Sequence, residues 1–186
     1  MAIGERRMTL EEFLRLPEAE PALEYVDGEV TQKVSPQGQH GALQYGVAYL
    51  FNEYGWPRRL ARAFPELRAT YGGGSAVPDV AVYLWDRVPL TPAGEVANVF
   101  RESPDTAVEI VSPEQSVPKL VAKCEWYIRH GVRIALLVNP DHRTVRLFRP
   151  GTTPRMPRGT DRIDLDEVLS GFELTVDALF ATLYHR

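Results

Sequence analysis

Two carboxylates, Asp79 and Glu109, occur in segments that are otherwise almost entirely apolar, residues 77–83 and 106–113. Continuous apolar runs of this kind are typical of strands that are covered on both faces. A carboxylate in such a strand is costly unless a cation or hydrogen-bond donors compensate its charge. The pair therefore predicts a divalent metal site, and Mg²⁺ suits it because this ion takes oxygen ligands from one or two carboxylates and from water.

Each carboxylate also has a structural interpretation. Asp79 follows Pro78 and can be a residue at the entry of a strand that makes local hydrogen bonds to the backbone. Glu109 is flanked by apolar residues on both sides, so a structural ion pair with an arginine is the main alternative for it. The residues alone leave both interpretations open.

Lysine is scarce in this chain, which has only Lys33, Lys119 and Lys123 and otherwise uses arginine. Two of the three lie in a helix predicted between residues 116 and 130. At helical spacing, Lys119 lies about 140° from the centre of the apolar stripe and Lys123 about 100°. Lys119 should therefore face solvent, whereas Lys123 lies on the shoulder, from which its ammonium can reach the metal site or simply cover apolar surface with its stem. The stripe consists of Val117, Leu120, Val121, Cys124, Tyr127 and Ile128.

The first half of the chain predicts a mixture of helices and strands around these residues. A capping box at residues 9–12 begins a short helix to about Leu16, and Asp27-Gly28 predicts a hairpin turn between two strands. One or two further strands are predicted over residues 58–71. Apolar residues at helical spacing predict a longer helix between these elements: Leu43, Val47, Leu50, Phe51 and Tyr54.

The second half predicts a β-helix-β unit. Glu109 lies on its first strand, Gly131 ends its helix, and residues 133–138 form its second strand. Such a unit gives a parallel strand pair with a right-handed crossover. Two short helices are expected near the C-terminus, at residues 166–169 and 176–184.

These elements predict an α/β or α+β fold built on a mixed β-sheet flanked by helices. The length of 186 residues, with 44% hydrophobic and 25% charged residues, fits a single domain. We expect its core at about residues 9–149, with a C-terminal extension at residues 150–186.

Composition limits the function classes. The net charge of −4 gives no global basic signal, so any contact with nucleic acid must use a local patch. The single cysteine, Cys124, excludes an intrachain disulfide and favours a cytoplasmic setting. No apolar run approaches the roughly 20 residues of a membrane span, and the first ten residues contain no signal-peptide core.

The order of several short motifs resembles the Uma-two family, a bacterial group of restriction-endonuclease-like proteins long catalogued as a domain of unknown function. The resemblance covers about residues 9–149, and the motifs are specific in combination rather than singly. They are Leu23-Glu24-Tyr25-Val26-Asp27-Gly28-Glu29, Ser35-Pro36, His40, Pro78-Asp79, Val108-Glu109-Ile110-Val111-Ser112-Pro113, Lys123, Tyr127, Gly131-Val132 and Leu137-Val138-Asn139-Pro140.

The resemblance implies a member of the PD-(D/E)XK nuclease superfamily, with a mixed sheet and a metal site at one end. It implies Asp79 and Glu109 as metal ligands and Glu24 as a further acidic residue of the site. The superfamily pattern expects a lysine two residues after the glutamate, where this chain has Val111. The family moves that lysine to the next helix, and Lys123 occupies the corresponding place.

The function that follows is a Mg²⁺-dependent DNA endonuclease, with Mn²⁺ as a substitute ion and a homodimer as a natural assembly, since one small site cuts one strand. A catalytically inactive nucleic-acid- or protein-binding module on the same scaffold is the alternative, and a purely structural role is a third. Glu24 can instead pair with an arginine near the hairpin. His40 is compatible with a packed histidine or with a group close to a phosphate, and Ser112 is interpreted as part of a turn.

Overall fold

The computed structural model describes residues 8–113 and 115–185, and within these ranges it contains four α-helices, nine strands and one short 3-10 helix at Trp85–Arg87. In chain order they are α1 (Leu10–Phe13), β1 (Leu23–Val26), β2 (Glu29–Gln32), α2 (Gly38–Gly55), β3 (Ala61–Pro65), β4 (Ala69–Tyr71), β5 (Gly74–Ala76), β6 (Val80–Leu84), β7 (Thr106–Ile110), α3 (Val117–Arg129), β8 (Ile134–Asn139), β9 (Thr144–Phe148) and α4 (Val176–Ala181).

A five-stranded mixed sheet in the order β3-β6-β7-β8-β9 forms the centre of the fold. Strands β7 and β8 are parallel and are connected through α3, which confirms the predicted β-helix-β unit. The other neighbouring pairs in this sheet are antiparallel. The predicted class, a mixed sheet flanked by helices in a single domain, is confirmed.

The alternation of side chains in β7 decides which face carries Glu109. Val108 and Ile110 point into the hydrophobic core that includes α2, whereas Ala107 and Val111 pack into a second core under α3. Because successive side chains in a strand point to opposite faces, Glu109 shares the face of Ala107 and Val111. The carboxylate is therefore directed to the side of the sheet that α3 covers.

The register between β6 and β7 brings the second carboxylate to the same place. The strands are antiparallel, with Val80 opposite Val108 and Ala81 opposite Ala107. Continuing this register by one residue puts Asp79 opposite Glu109. Both carboxylates therefore lie on the α3 side of the sheet, next to the N-terminal end of β6.

A second, antiparallel sheet in the order β2-β1-β5-β4 carries the N-terminal hairpin. The predicted hairpin turn is confirmed: Asp27 and Gly28 have φ angles of 52° and 81°, the positive values that a tight two-residue turn requires. The sequence predicts one mixed sheet, and the structure contains two. Strand β1 pairs with β5 through Tyr25 and Ser75, and this pairing brings the hairpin over the end of the central sheet.

The C-terminal segment differs in part from the prediction. Residues 166–169 form turns rather than the expected helix, whereas α4 lies within the second predicted helix. Side chains of this segment pack into the core on the α2 side of the central sheet, including Ile163, Leu165, Leu179 and Phe180. None of the described helices is both long and apolar enough to cross a membrane.

The contact between the second sheet and α3 is tight at Gly74. A Cβ atom there would lie 2.5 Å from Cζ2 of the buried Trp126 and 2.9 Å from the carbonyl oxygen of Tyr25. We expect Gly74→Ala to lower the free energy of unfolding by about 1–3 kcal/mol, because neither an indole nor a backbone carbonyl can move without disturbing its neighbours. The midpoint of urea denaturation measures this effect.

Gly41→Ala is the matched control. Gly41 lies in α2, where an added Cβ meets nothing within 4 Å. The same methyl group should therefore stabilise the protein by up to about 1 kcal/mol, through the higher helix propensity of alanine. Equal effects of the two substitutions would contradict the close packing of α3 against Gly74.

Candidate active site

Asp79 lies immediately before β6 rather than inside the predicted strand. Both of its carboxylate oxygens and its carbonyl oxygen have partners. Its Oδ1 lies 2.6 Å from the ammonium of Lys33 and 3.3 Å from Nε2 of His40. Its Oδ2 accepts a hydrogen bond from the backbone N–H of Ile110 at 2.7 Å, and Gln44 donates to its carbonyl oxygen at 3.1 Å. Asp79 is thus held rigidly by contacts from distant parts of the chain.

Glu109 lies on β7 and is also buried, with 2% of its surface exposed. Its Oε1 accepts a hydrogen bond from the Tyr127 hydroxyl at 2.6 Å and lies 2.9 Å from the ammonium of Lys123. The other oxygen, Oε2, accepts no hydrogen bond from the described residues. One lone-pair-bearing oxygen of Glu109 is therefore available to a further ligand.

Glu24 on β1 connects the N-terminal hairpin to this group. Its Oε1 accepts the backbone N–H of Val77 at 2.6 Å, two residues before Asp79, and its Oε2 lies 2.8 Å from the Lys123 ammonium. The arginine partner considered for Glu24 is therefore wrong. Lys123 instead bridges Glu24 and Glu109. The four residues named from the sequence therefore form one buried cluster: Glu24, Asp79, Glu109 and Lys123.

Val111 is where the chain departs from the superfamily pattern, and the structure gives a physical reason for the use of Lys123 instead. Val111 is 5% exposed and packs under α3, so a cation at that position would be buried in apolar surroundings. Lys119 is exposed, whereas the side chain of Lys123, one turn later, is 12% exposed. The helical geometry places the ammonium of Lys123, and not that of Lys119, at Glu109.

Lys33 is the residue of this cluster that sequence reasoning missed. It follows β2, its side chain is 8% exposed, and its ammonium contacts both Asp79 Oδ1 and, at 2.9 Å, the carbonyl oxygen of Val77. The scarcity of lysine was a usable signal, since two of the three lysines meet here. The periodicity of a short hairpin strand gave no sign of it, because the contact depends on how two sheets meet.

His40 and Ser112 form a hydrogen-bonded chain that ends at Asp79. Nδ1 of His40 lies 2.9 Å from Oγ of Ser112, and Nε2 faces Asp79. The sequence gave no indication of a Ser-His-Asp arrangement, yet the fold assembles these three residue types. Ser112 is only 1% exposed, so it is not presented to a substrate as a nucleophile. The chain orients His40 and supports Asp79.

The two carboxyl groups are shifted in opposite directions. Burial disfavours the charge of Asp79, but the hydrogen bond from His40 and the positive charge of Lys33 outweigh it and hold the pKa well below its usual range. Burial raises the pKa of Glu109, although Lys123 opposes this shift. Asp79 is thus firmly ionised, whereas the negative charge of Glu109 is less well compensated by its surroundings.

Both buried lysines remain protonated. Burial alone would lower the pKa of Lys33, but the negative charges of Asp79 and Glu109 raise it above its ordinary value. Burial likewise opposes the charge of Lys123, and Glu109 and Glu24 raise its pKa well above the usual range. Neither ammonium can serve as a general base near neutral pH, so both act as fixed positive charges.

A cavity of about 570 Å³ opens between the β1–β2 hairpin and the first half of α3. Glu24, Lys33 and Lys123 line it, and the two lysines separate it from Asp79 and Glu109. Among the described residues no group of three or more His, Cys, Asp and Glu side chains is arranged as a metal site. The donor set is instead two carboxylates with an open oxygen, which fits an ion that keeps several waters.

Comparisons with known proteins identify the family of this chain. The model of the Uma2 family, described as "Putative restriction endonuclease", matches residues 10–177. The crystal structure of a "putative nuclease belonging to DUF820" from Anabaena variabilis ATCC 29413 is 39% identical in sequence, with a TM-score of 0.91 over 95% of this chain and 99% of that one. None of the curated proteins compared with the chain matches it. The chain belongs to the Uma2 family of restriction-endonuclease-like proteins.

Proposed function

We propose that this protein is a Mg²⁺-dependent nuclease that hydrolyses phosphodiester bonds in DNA. The observation that carries the proposal is the buried pair Asp79 and Glu109, which lie opposite each other on adjacent strands. Lys33 and His40 contact Asp79, and Lys123 contacts Glu109. Burying two carboxylates side by side is costly, and a structural role would be filled at lower cost by apolar residues. Membership in a nuclease family supports the same conclusion.

Asp79 and Glu109 would hold the ion, Asp79 because it is already ionised and Glu109 because its Oε2 is open. When bound, Mg²⁺ supplies Lewis-acid polarisation of the phosphate and eases the deprotonation of water. Mn²⁺ should serve as a substitute, since carboxylate and water ligands suit it equally. The chain's own residues provide the rest of the chemistry.

Lys123 would stabilise the negative charge that develops on the phosphate during attack by water. Its ammonium lies at the wall of the cavity, where a substrate phosphate can reach it, and it is held by Glu24 and Glu109 rather than being free to move. A preorganised positive charge in a partly buried site is worth more than the same charge in water. Tyr127 keeps Glu109 oriented through its hydroxyl.

The test of this function is cleavage of supercoiled plasmid DNA by the wild-type protein. We expect nicking or linearisation with Mg²⁺ or Mn²⁺, loss of cleavage with EDTA, and its recovery when the ion is restored. Cleavage that persists in EDTA would exclude the metal mechanism. Ion binding detected by calorimetry without any cleavage of double- or single-stranded DNA would favour the inactive binding module.

Lys33 occupies the place of a counter-ion to Asp79, and its replacement has a distinctive expected result. Lys33→Met should lower the free energy of unfolding by about 2 kcal/mol without metal, since Asp79 loses a charged hydrogen-bond donor but keeps Ile110 N–H and His40. Saturating Mg²⁺ should remove most of this deficit, because a ligand that binds only the folded state stabilises it. Thermal unfolding with and without Mg²⁺ measures both effects.

The competition between Lys33 and the metal also predicts the direction of the affinity change. Mg²⁺ need not displace an ammonium from Asp79 in Lys33→Met, so calorimetry should show tighter binding than in wild type. Weaker Mg²⁺ binding would contradict the role of Lys33 as a displaceable counter-ion. Arg15→Met, at an exposed position, is the control and should change neither stability nor affinity.

A further inference from the structure

The cavity beside the active site contains every lysine of the chain. Lys33, Lys119 and Lys123 all line it, whereas none of the arginines within residues 8–113 and 115–185 does so. Two of these lysines contact the buried carboxylates, and the third has no part in that cluster. Lys119 therefore lies in the cavity for a reason other than neutralising the buried carboxylates.

Lys119 is exposed on α3 and makes no ion pair or hydrogen bond with any residue in the described ranges. It lies one helical turn before Lys123, a separation of about 6 Å along the helix axis. Successive phosphates along a nucleic-acid strand have a similar spacing. A strand whose scissile phosphate lies at Lys123 would thus bring a neighbouring phosphate to Lys119.

The two walls of the cavity differ in their uncompensated charge. On the hairpin wall, Asp27 is paired with Arg129 at 3.0 Å and Glu24 is paired with Lys123, which leaves Glu29 as an acidic side chain without a partner among the described residues. The α3 wall carries the positive charge of Lys119. A polyanion is therefore attracted to α3 and repelled from β2.

The chemistry of the lining also indicates which part of a nucleic acid is bound. No aromatic side chain from the described part of the chain lines the cavity, so it offers no platform on which bases could stack. Its uncharged polar side chains are hydroxyls and amides that can donate hydrogen bonds: Thr31, Gln32, Gln115 and Ser116. Such groups suit phosphate and sugar oxygens, which carry no sequence information.

We propose that this cavity is a groove for the sugar-phosphate backbone, in which Lys119 binds the phosphate next to the scissile one. The proposal deepens the nuclease function and rests on it for the identity of the substrate. The strand lies along the first two turns of α3, and recognition is independent of base sequence.

The test is the binding of fluorescently labelled single-stranded DNA, measured by anisotropy in EDTA, so that metal-dependent cleavage does not interfere. Lys119→Gln should weaken binding about fivefold, equally for different base sequences, and should reduce the slope of log affinity against log salt by about 0.7. Lys119→Arg should retain wild-type affinity and slope. Glu29→Gln should bind more tightly than wild type.

Arg101→Gln is the matched control, because it removes one positive charge from an exposed position outside the cavity. It should change neither affinity nor slope. An unchanged salt slope in Lys119→Gln, an equal loss in Arg101→Gln, or a loss that depends on base sequence would each overturn the proposal. A wild-type protein that shows these binding effects but never cleaves DNA with Mg²⁺ would refute the nuclease function and leave the groove in place.

Discussion

Glu109→Gln is expected to reduce Mg²⁺-dependent DNA cleavage by at least about 100-fold, since even residues that only support metal ligands cost 10- to 100-fold when removed. Glutamine has nearly the same shape and can still accept the hydroxyl of Tyr127. It carries no negative charge, however, and its amide is a poor ligand for Mg²⁺. The measurement is the initial rate of plasmid cleavage at saturating Mg²⁺.

The stability of this variant separates a metal ligand from a structural residue. The folded-state pKa of Glu109 is raised, mainly by burial, so its favourable contribution exists below the pKa of an unfolded glutamate and is lost as pH rises. At neutral pH the ionised form is therefore unfavourable, and Glu109→Gln should be at least as stable as wild type. Loss of cleavage with retained stability is expected.

Glu125→Gln is the control for this substitution, because Glu125 is exposed on α3 and the same charge is removed. Its cleavage rate should stay within a factor of about two of wild type, as expected for a surface substitution. If Glu109→Gln cut plasmid as fast as this control, Glu109 would have no place in the mechanism.

Lys123→Met is expected to have two large effects, one on cleavage and one on stability. Removing the positive charge should slow cleavage by about 100- to 1000-fold, the cost of losing one preorganised stabilising group. It also leaves Glu24 and Glu109 buried without their shared ammonium, which should cost about 3–5 kcal/mol of unfolding free energy. Denaturant unfolding and plasmid cleavage measure the two effects on one preparation.

The pH dependence of the stability loss has a definite sign. Without Lys123, which lowers the pKa of Glu109, that pKa should rise further above the unfolded value. The protonated carboxyl is neutral and needs no counter-ion, so the deficit of Lys123→Met should shrink as pH falls from about 8 towards about 5. Adding Glu24→Gln should recover part of the lost stability, because it removes one of the two uncompensated charges.

Lys119→Met provides the comparison within the same helix. This side chain is exposed one turn away, so its loss should change the unfolding free energy by less than about 0.5 kcal/mol. If Lys33→Met abolished cleavage and Lys123→Met did not, the catalytic positive charge would belong to the hairpin rather than to α3. Equal stability of Lys119→Met and Lys123→Met would contradict the buried ion pairs.

Local periodicity was sufficient for the central β-helix-β unit and for the direction of Lys123. An apolar segment around Glu109, a helical apolar stripe and a second apolar segment predict this unit, and β7, α3 and β8 confirm it. The helical wheel likewise separates Lys123 from Lys119, because side-chain directions in a helix depend only on residue number. Both predictions rest on covalent geometry that tertiary contacts do not change.

Predictions failed where a segment's state depends on distant contacts. The turns at residues 166–169 have enough apolar side chains for a helix, yet Val168 and Leu169 are buried as turn residues in the core beneath α2. The N-terminal hairpin was predicted correctly as a local unit but joins a second sheet through β5. Short segments gain most of their stability from packing, so their own propensity is a weak guide.

The sequence by itself determined that two carboxylates lie in apolar segments and that a lysine on the shoulder of the following helix can reach them. The tertiary structure alone decided what neutralises Asp79: Lys33 comes from the hairpin of another sheet, and His40 from a helix on a distant part of the chain. The physical reason is that local geometry fixes where a side chain points, whereas its partner depends on how separate sheets and helices pack. The charge balance of the site is thus a property of the assembled fold.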